Sequence, residues 1–190
     1  MEELRISRIT KLVHTLLSHK LKKGDTVVDA TMGNGHDTIF LAEAVGAAGK
    51  VYAFDLQEVA LVNTELSLKK KGIYNENIFL IKDSHSNIDK YLKEPISCGM
   101  FNLGYMPGGD HSVVTKGETT ITALRKTLEL LKPNGILSVI LYYGHEGGED
   151  EKATVLSYLS SLDISQFTVL QWSYMNSDKC PPIILLIEKK

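Results

Sequence analysis

From Asp29 to Thr38 the chain reads D-A-T-M-G-N-G-H-D-T. Gly33 and Gly35 let the backbone turn tightly there and leave it bare, so that a ligand can lie against it. Asp29, Thr31, Asn34, Asp37 and Thr38 set polar groups around the same turn. Twenty residues beyond Gly35 stands Asp55, with Gln57 close behind it. A carboxylate at that spacing can accept both hydroxyl hydrogens of a ribose. Asp83-Ser84-His85 offers polar groups of the kind that read an adenine edge. Asn102-Leu103-Gly104-Tyr105 then puts an amide and a phenol directly after an apolar run, and Asp110, His111 and His145 add titratable groups beyond it. The chemistry on offer is nucleoside binding, the holding of an N–H or O–H group, and proton acceptance.

Such residues act together only if a frame brings them together. Apolar, β-rich runs predict strands at residues 26–31, 51–56, 78–84, 96–101, 135–143, 167–175 and 182–189. Ile9, Leu12, Val13, Leu16 and Leu17 recur at helical spacing. Further helices are expected over 37–45, 58–72, 88–92, about 121–131 and about 151–162, with Gly72 and Lys132-Pro133-Asn134-Gly135 as stop signals. Strands that alternate with helices and are apolar throughout belong to a parallel sheet covered on both faces. The last two strands have no helix between them, so they must pair antiparallel. The expectation is an α/β, Rossmann-like fold: a seven-stranded, mostly parallel sheet with an antiparallel C-terminal strand pair and helices on both faces. In such sheets ligands bind outside the carboxyl ends of the strands. Asp29, Asp55, Asp83 and Asn102 stand at or near four of those ends. One acid at such a place is as well explained by capping the next helix. Four polar ends in succession point to a site.

The bulk properties narrow the choice. At 190 residues the chain suits one domain, here 1–23 as an N-terminal helix and 24–190 as the core. A net charge of −2 excludes a protein that holds nucleic acid through a general positive field. It leaves three local basic patches: Arg5, Arg8 and Lys11; Lys20, Lys22 and Lys23; and Lys69 to Lys71. Solvated helix ends account for such patches equally well. Cys98 reads as a core residue and Cys180 as a loop thiol, and no metal site is expected. An N-terminus charged from its second residue and the lack of a long apolar run make a cytoplasmic location the expectation.

A nicotinamide dinucleotide would use Asp55 equally well. Its fingerprint, however, wants a small residue where Thr38 stands, and its pyrophosphate disfavours acids such as Asp29 and Asp37 beside the turn. A ligand carrying a sulfonium and an ammonium tolerates them better, which favours S-adenosylmethionine. The turn also resembles the first motif of class I methyltransferases. More narrowly, D-A-T-x-G-N-G-x-D-T, D-S-H, N-L-G-Y-x-P-G-G-D and Y-Y-G-H-x-G-G together resemble the YtqB-like rRNA methylase family, over nearly the whole chain. That family includes tRNA 5-aminomethyl-2-thiouridine methyltransferases.

The resemblance implies that Asn102 and Tyr105 stand where amine N-methyltransferases carry Asn-Pro-Pro-Tyr, with Leu103 and Gly104 replacing both prolines. There the amide oxygen holds the amine hydrogens and the aromatic ring packs on the base. Asp110, His111 and His145 are the candidate proton acceptors, and His14 and His19 on the first helix are assigned no role. The implied substrate is RNA, a tRNA anticodon loop or, by the older family label, ribosomal RNA. A small-molecule amine stays open beside it. Phosphates would be met by the basic patches or by a second subunit of a homodimer. No DNA or membrane partner is expected.

Overall fold

Val27 and Val28 are neighbours in one short strand, and both are fully buried, one against each face of a sheet. Side chains alternate across a strand, so a strand apolar at every position must be covered twice. The computed structural model describes residues 5–106, 108–110, 114–177 and 179–190; Pro107 and His111 lie outside the described residues. Its strands are β1 Thr26–Asp29, β2 Lys50–Asp55, β3 Ile78–Lys82, β4 Ile96–Leu103, β5 Leu131–Leu141, β6 Phe167–Trp172 and β7 Ile183–Lys189. They form a sheet in the order β3-β2-β1-β4-β5-β7-β6. β1 to β5 pair parallel. β7 runs antiparallel to both β5 and β6, so it alone is reversed, wedged between them.

The helices are α1 Ile9–Ser18, α2 His36–Val45, α3 Glu58–Lys70, α4 Ile88–Tyr91, α5 Gly117–Leu130 and α6 Gly148–Ser160. Val13 and Leu17 of α1, Leu41 and Val45 of α2 and Leu68 of α3 cover the face that carries Val27 and Met100. Ile88, Leu124, Leu128, Val155 and Leu159 of α4 to α6 cover the face that carries Val28 and Phe101. None of these helices is long and apolar enough to cross a membrane. Cys98 is buried and Cys180 exposed, and both are free thiols.

Three boundaries differ from expectation for physical reasons. β4 does not stop at Phe101: Asn102 and Leu103 pair with Ile140 and Leu141 of β5, so the ladder carries a polar amide one step further. The alternation then sends Asn102 to the α1–α2 face, the side of Met100. Leu131 is already paired with Ile96, but the regular ladder resumes only at Ile136. Between them Asn134 adopts a left-handed φ of 62°, which Asn tolerates better than most residues. α6 begins at Gly148, earlier than expected, after Gly147 at φ 77°.

Because the strand order turns outward in both directions from β1 and β4, the switch point lies between them. Close packing beneath it is strict. A Cβ on Gly99 of β4 would stand 2.7 Å from Leu137 Cδ1 and 3.0 Å from Thr127 Cγ2, both in fully buried side chains. Gly99→Ala is therefore expected to cost about 1–3 kcal/mol by overpacking, read as a lower urea midpoint with native-like circular dichroism.

Candidate active site

A cavity of about 640 Å³ opens at the carboxyl ends of β1 to β4, at the switch point. Its floor is the turn after β1. Gly33 and Gly35 have φ of 50° and 79°, which favour glycine. A Cβ on Gly35 would also fall 2.5 Å from Thr64 Oγ1, so α3 packs directly on the turn. The Gly33 amide donates to Asp55 Oδ2 at 2.8 Å, and the Gln57 amide donates to Oδ1 at 2.9 Å. The carboxylate of Asp55 is thus aimed from both sides, and each oxygen keeps acceptor capacity toward the cavity.

On the β3 side, Asp83 accepts from Asn87 Nδ2 at 2.8 Å, Tyr91 OH at 2.9 Å and its neighbour Ser84 N at 2.7 Å. The Asn87 bond, with those of Tyr91 and Ser84, holds it below the usual carboxylate range. Its first task is to build the turn before α4. His85 Nδ1 lies 3.1 Å from the Ala30 carbonyl, which can only accept, so Nδ1 carries the proton. Nε2 is then a bare acceptor, buried on the cavity side without a partner, and burial pushes the imidazole pKa down so that it stays neutral. It lacks an N–H donor, and an adenine amino group would supply one.

On the β4 side, Asp37 is only 3% exposed. Its Oδ2 accepts from Asn102 Nδ2 at 2.6 Å, and its Oδ1 lies 2.5 Å from His14 Nε2. A carboxylate offers no hydrogen, so the NH₂ end of the Asn102 amide must face Asp37. The carbonyl end is left for the cavity. His14 stacks flat on Phe40, ring centroids 4.0 Å apart. His14 is the residue that sequence reasoning passed over. Its contact spans 23 positions between two helices, and no local pattern marks it.

Asp29 and Thr38 stand behind the wall. Asp29 is fully buried and accepts from Thr31 N at 3.1 Å and Thr38 Oγ1 at 2.6 Å. Burial, and then the charge of Asp37, pushes its pKa up to about 7. It shapes the turn, while Thr31 and Asn34 line the cavity. Tyr105 is 44% exposed on the rim and meets His145 edge-on, ring centroids 5.9 Å apart. His145 therefore backs Tyr105 and stands outside the cavity lining. Asp110 also stands outside it, its backbone amide held by Gln57 Oε1 at 2.9 Å. The loop that carries Tyr105 is pinned further on. Thr115 N donates to Gly104 O at 3.0 Å, and the hydroxyls of Thr115 and Thr120 donate to Glu151 at 2.6 and 2.8 Å.

The family model described as Putative rRNA methylase matches residues 51–188. The chain is 33% identical to the tRNA (mnm(5)s(2)U34)-methyltransferase, chloroplastic, of Arabidopsis thaliana, over 96% of this chain and 70% of that protein. A structure described as a putative rRNA-methylase from Clostridium thermocellum is 46% identical with a TM-score of 0.94, covering 98% of this chain and all of that one. A structure described as a putative methyltransferase from Streptococcus mutans in complex with SAH is 42% identical with a TM-score of 0.88, covering 99% of this chain and all of that one.

Asp29 gives a pH prediction. Its folded pKa lies above the ordinary 3.8, so the folded state holds this proton more tightly than the unfolded chain does. Its contribution to stability is complete below about pH 4 and is lost as pH rises through about 7. The unfolding free energy of wild type minus that of Asp29→Asn should therefore fall across that window and level off above it. A difference independent of pH, measured by urea titration, would show that Asp29 titrates normally.

Proposed function

The chain belongs to the Putative rRNA methylase family and is an S-adenosylmethionine-dependent methyltransferase, and we propose that it N-methylates the 5-aminomethyl group of a wobble 2-thiouridine in tRNA. The observation that carries this reading is the Asn102 amide, locked by Asp37 so that its oxygen faces the cavity beside the exposed ring of Tyr105. That oxygen accepts an amine hydrogen and aims the nitrogen lone pair, while Tyr105 packs on the base. The named activity of the Arabidopsis relative supports the same substrate class.

S-adenosylmethionine supplies a methyl group on a sulfonium whose positive charge is lost on transfer. The residues present fit it: Asp55 would take the ribose hydroxyls, His85 Nε2 would take the adenine amino group, and the bare turn at Gly33 leaves room for the part between them. The carboxylates of Asp37 and Asp55, which line the cavity, suit a cationic ligand. Most of the catalytic work is positioning, since the transfer is an in-line displacement.

An alkyl amine arrives largely as ammonium, which has no lone pair, so a proton must leave before attack. Asp37 lines the cavity and draws the ammonium toward Asn102. His14, on its other oxygen, gives a path to the partly exposed face of α1. Asp110 and His145 serve the loop and the ring of Tyr105. The whole chain acts as one domain, in the cytoplasm, on a flipped or single-stranded nucleotide. The family description favours a second reading, a ribosomal RNA nucleotide in the same site.

Mass spectrometry of digested tRNA and rRNA, from cells with and without the gene, decides between the two. The tRNA reading requires the unmethylated aminomethyl nucleoside to accumulate in tRNA. In purified protein, Asp55→Ala should weaken S-adenosylmethionine binding by about 1.5–3 kcal/mol, tenfold or more, in calorimetry. Asn102→Ala should slow single-turnover methyl transfer on the order of a hundredfold, with cofactor affinity nearly unchanged. Equal single-turnover rates would remove Asn102 from the mechanism.

A further inference from the structure

A second cavity, of about 630 Å³, adjoins the first. Arg8, Lys11, Tyr142, Tyr174, Pro181 and Pro182 line it. Thr10 and Tyr142 line both cavities, so the two share a wall. Three segments meet there: the start of α1, the residue after the end of β5, and the β6–β7 connection. They are tied together by the Tyr174 hydroxyl, which donates to the Ile6 carbonyl at 2.5 Å, and by a hydrogen bond between Tyr142 and Thr10. Tyr142 follows the carboxyl end of a parallel strand, so this cavity opens on the same rim as the active site.

The position of this cavity sorts the basic patches. Lys20 pairs with Glu188 near the end of reversed β7, and the Lys22 amide bonds Asp25 just before β1. Both contacts lie at the amino edge of the parallel strands, away from the site. Lys69 to Lys71 end the crossover helix α3 at that same edge. Of the three patches, the one at the start of α1 is on the site's rim. It combines two cations with aromatic rings and prolines, the chemistry that holds a phosphate and stacks a base.

We propose that the second cavity binds the nucleotide adjoining the target in the RNA strand. Its base lies against Tyr174, Tyr142 and the Pro181-Pro182 pair, and its phosphate is held by Arg8 and Lys11. This rests on the RNA reading of the active site. It adds to that reading a reason why so small an enzyme can hold RNA: one neighbouring nucleotide is gripped while the target enters the first cavity. Few phosphates are engaged, as a chain of net charge −2 requires.

The test uses an anticodon stem-loop whose wobble 2-thiouridine carries a free aminomethyl group. Binding is followed by fluorescence anisotropy over a salt series, and methyl transfer by steady-state kinetics. The paired variant Arg8→Gln, Lys11→Gln should lower the slope of log affinity against log salt by about 0.7, the contribution of one single-strand phosphate contact. It should raise KM for the stem-loop about tenfold with kcat and cofactor affinity retained. Tyr174→Ala should raise KM without changing the slope, and Tyr174→Phe, which keeps the ring and loses only the hydroxyl tie to Ile6, should raise it by less. The control pair Lys22→Gln, Lys70→Gln, at the far edge of the sheet, should change nothing. If wild type methylates the stem-loop while Arg8→Gln, Lys11→Gln keeps its slope and KM, the second cavity is not the neighbour's site and the RNA reading stands. If wild type neither binds nor methylates the stem-loop, the tRNA reading falls and this proposal falls with it.

Discussion

A carboxylate kept almost wholly from water must be paired, because an ion in a low-dielectric interior is costly. Asp37 is in that position, and its two oxygens are taken by His14 of α1 and Asn102 of β4. One side chain thereby fixes the first helix, the helix after the glycine turn and the strand that carries Asn102. Removing either partner leaves a buried charge short of a donor. Removing Asp37 frees the Asn102 amide to turn over and present its NH₂ end to the cavity. The N-terminal helix is thus part of the site's frame, held by its apolar face of Val13 and Leu17 and locked by one histidine.

The rest of the cavity follows the same logic of acceptors aimed by backbone donors. Asp55 is set by the amides of Gly33 and Gln57, and His85 by the Ala30 carbonyl. Gln57 in turn reaches across to hold the amide of Asp110, which joins the Asp55 side of the cavity to the loop that bears Tyr105. Glu151, itself buried, ties that loop to α5 by accepting from Thr115 of the loop and Thr120 of the helix. Burial first, and then the charge of Asp37, raises the Asp29 pKa beneath the turn.

The strands and helices among the described residues were legible in the sequence because most strands are apolar runs and each helix begins or ends on a glycine, a proline or a polar boundary. The strand-end residues Asp55, Asp83 and Asn102 were legible because the topology leaves few other places for polar groups. The partners of those residues were not legible. Asn102 pairs with a residue 65 positions earlier, and only the pleat of β4 decides which face it takes. Asp29 looked like a ligand contact, but the strand places its side chain inward, under the turn. His145 was placed on the correct rim, yet its ring backs Tyr105. In each case tertiary packing, which spacing does not encode, assigns the direction of the side chain.

β7 is made after β6 yet lies between β6 and β5. During synthesis, then, β6 emerges with nowhere to dock. β5 waits with one edge open, and its ladder from Ile136 to Leu141 is completed only when Ile183 to Glu188 arrive. β7 brings five consecutive buried side chains, Ile183 to Ile187, which close the core on both faces at once. A nascent chain halted before β7 exposes an unpaired apolar edge, the kind of surface that chaperones bind and that seeds aggregation. The ribosome therefore releases the cofactor-side half of the sheet, β1 to β4, before the half that seals it. The docking of β7 is what joins β6 to the rest of the sheet.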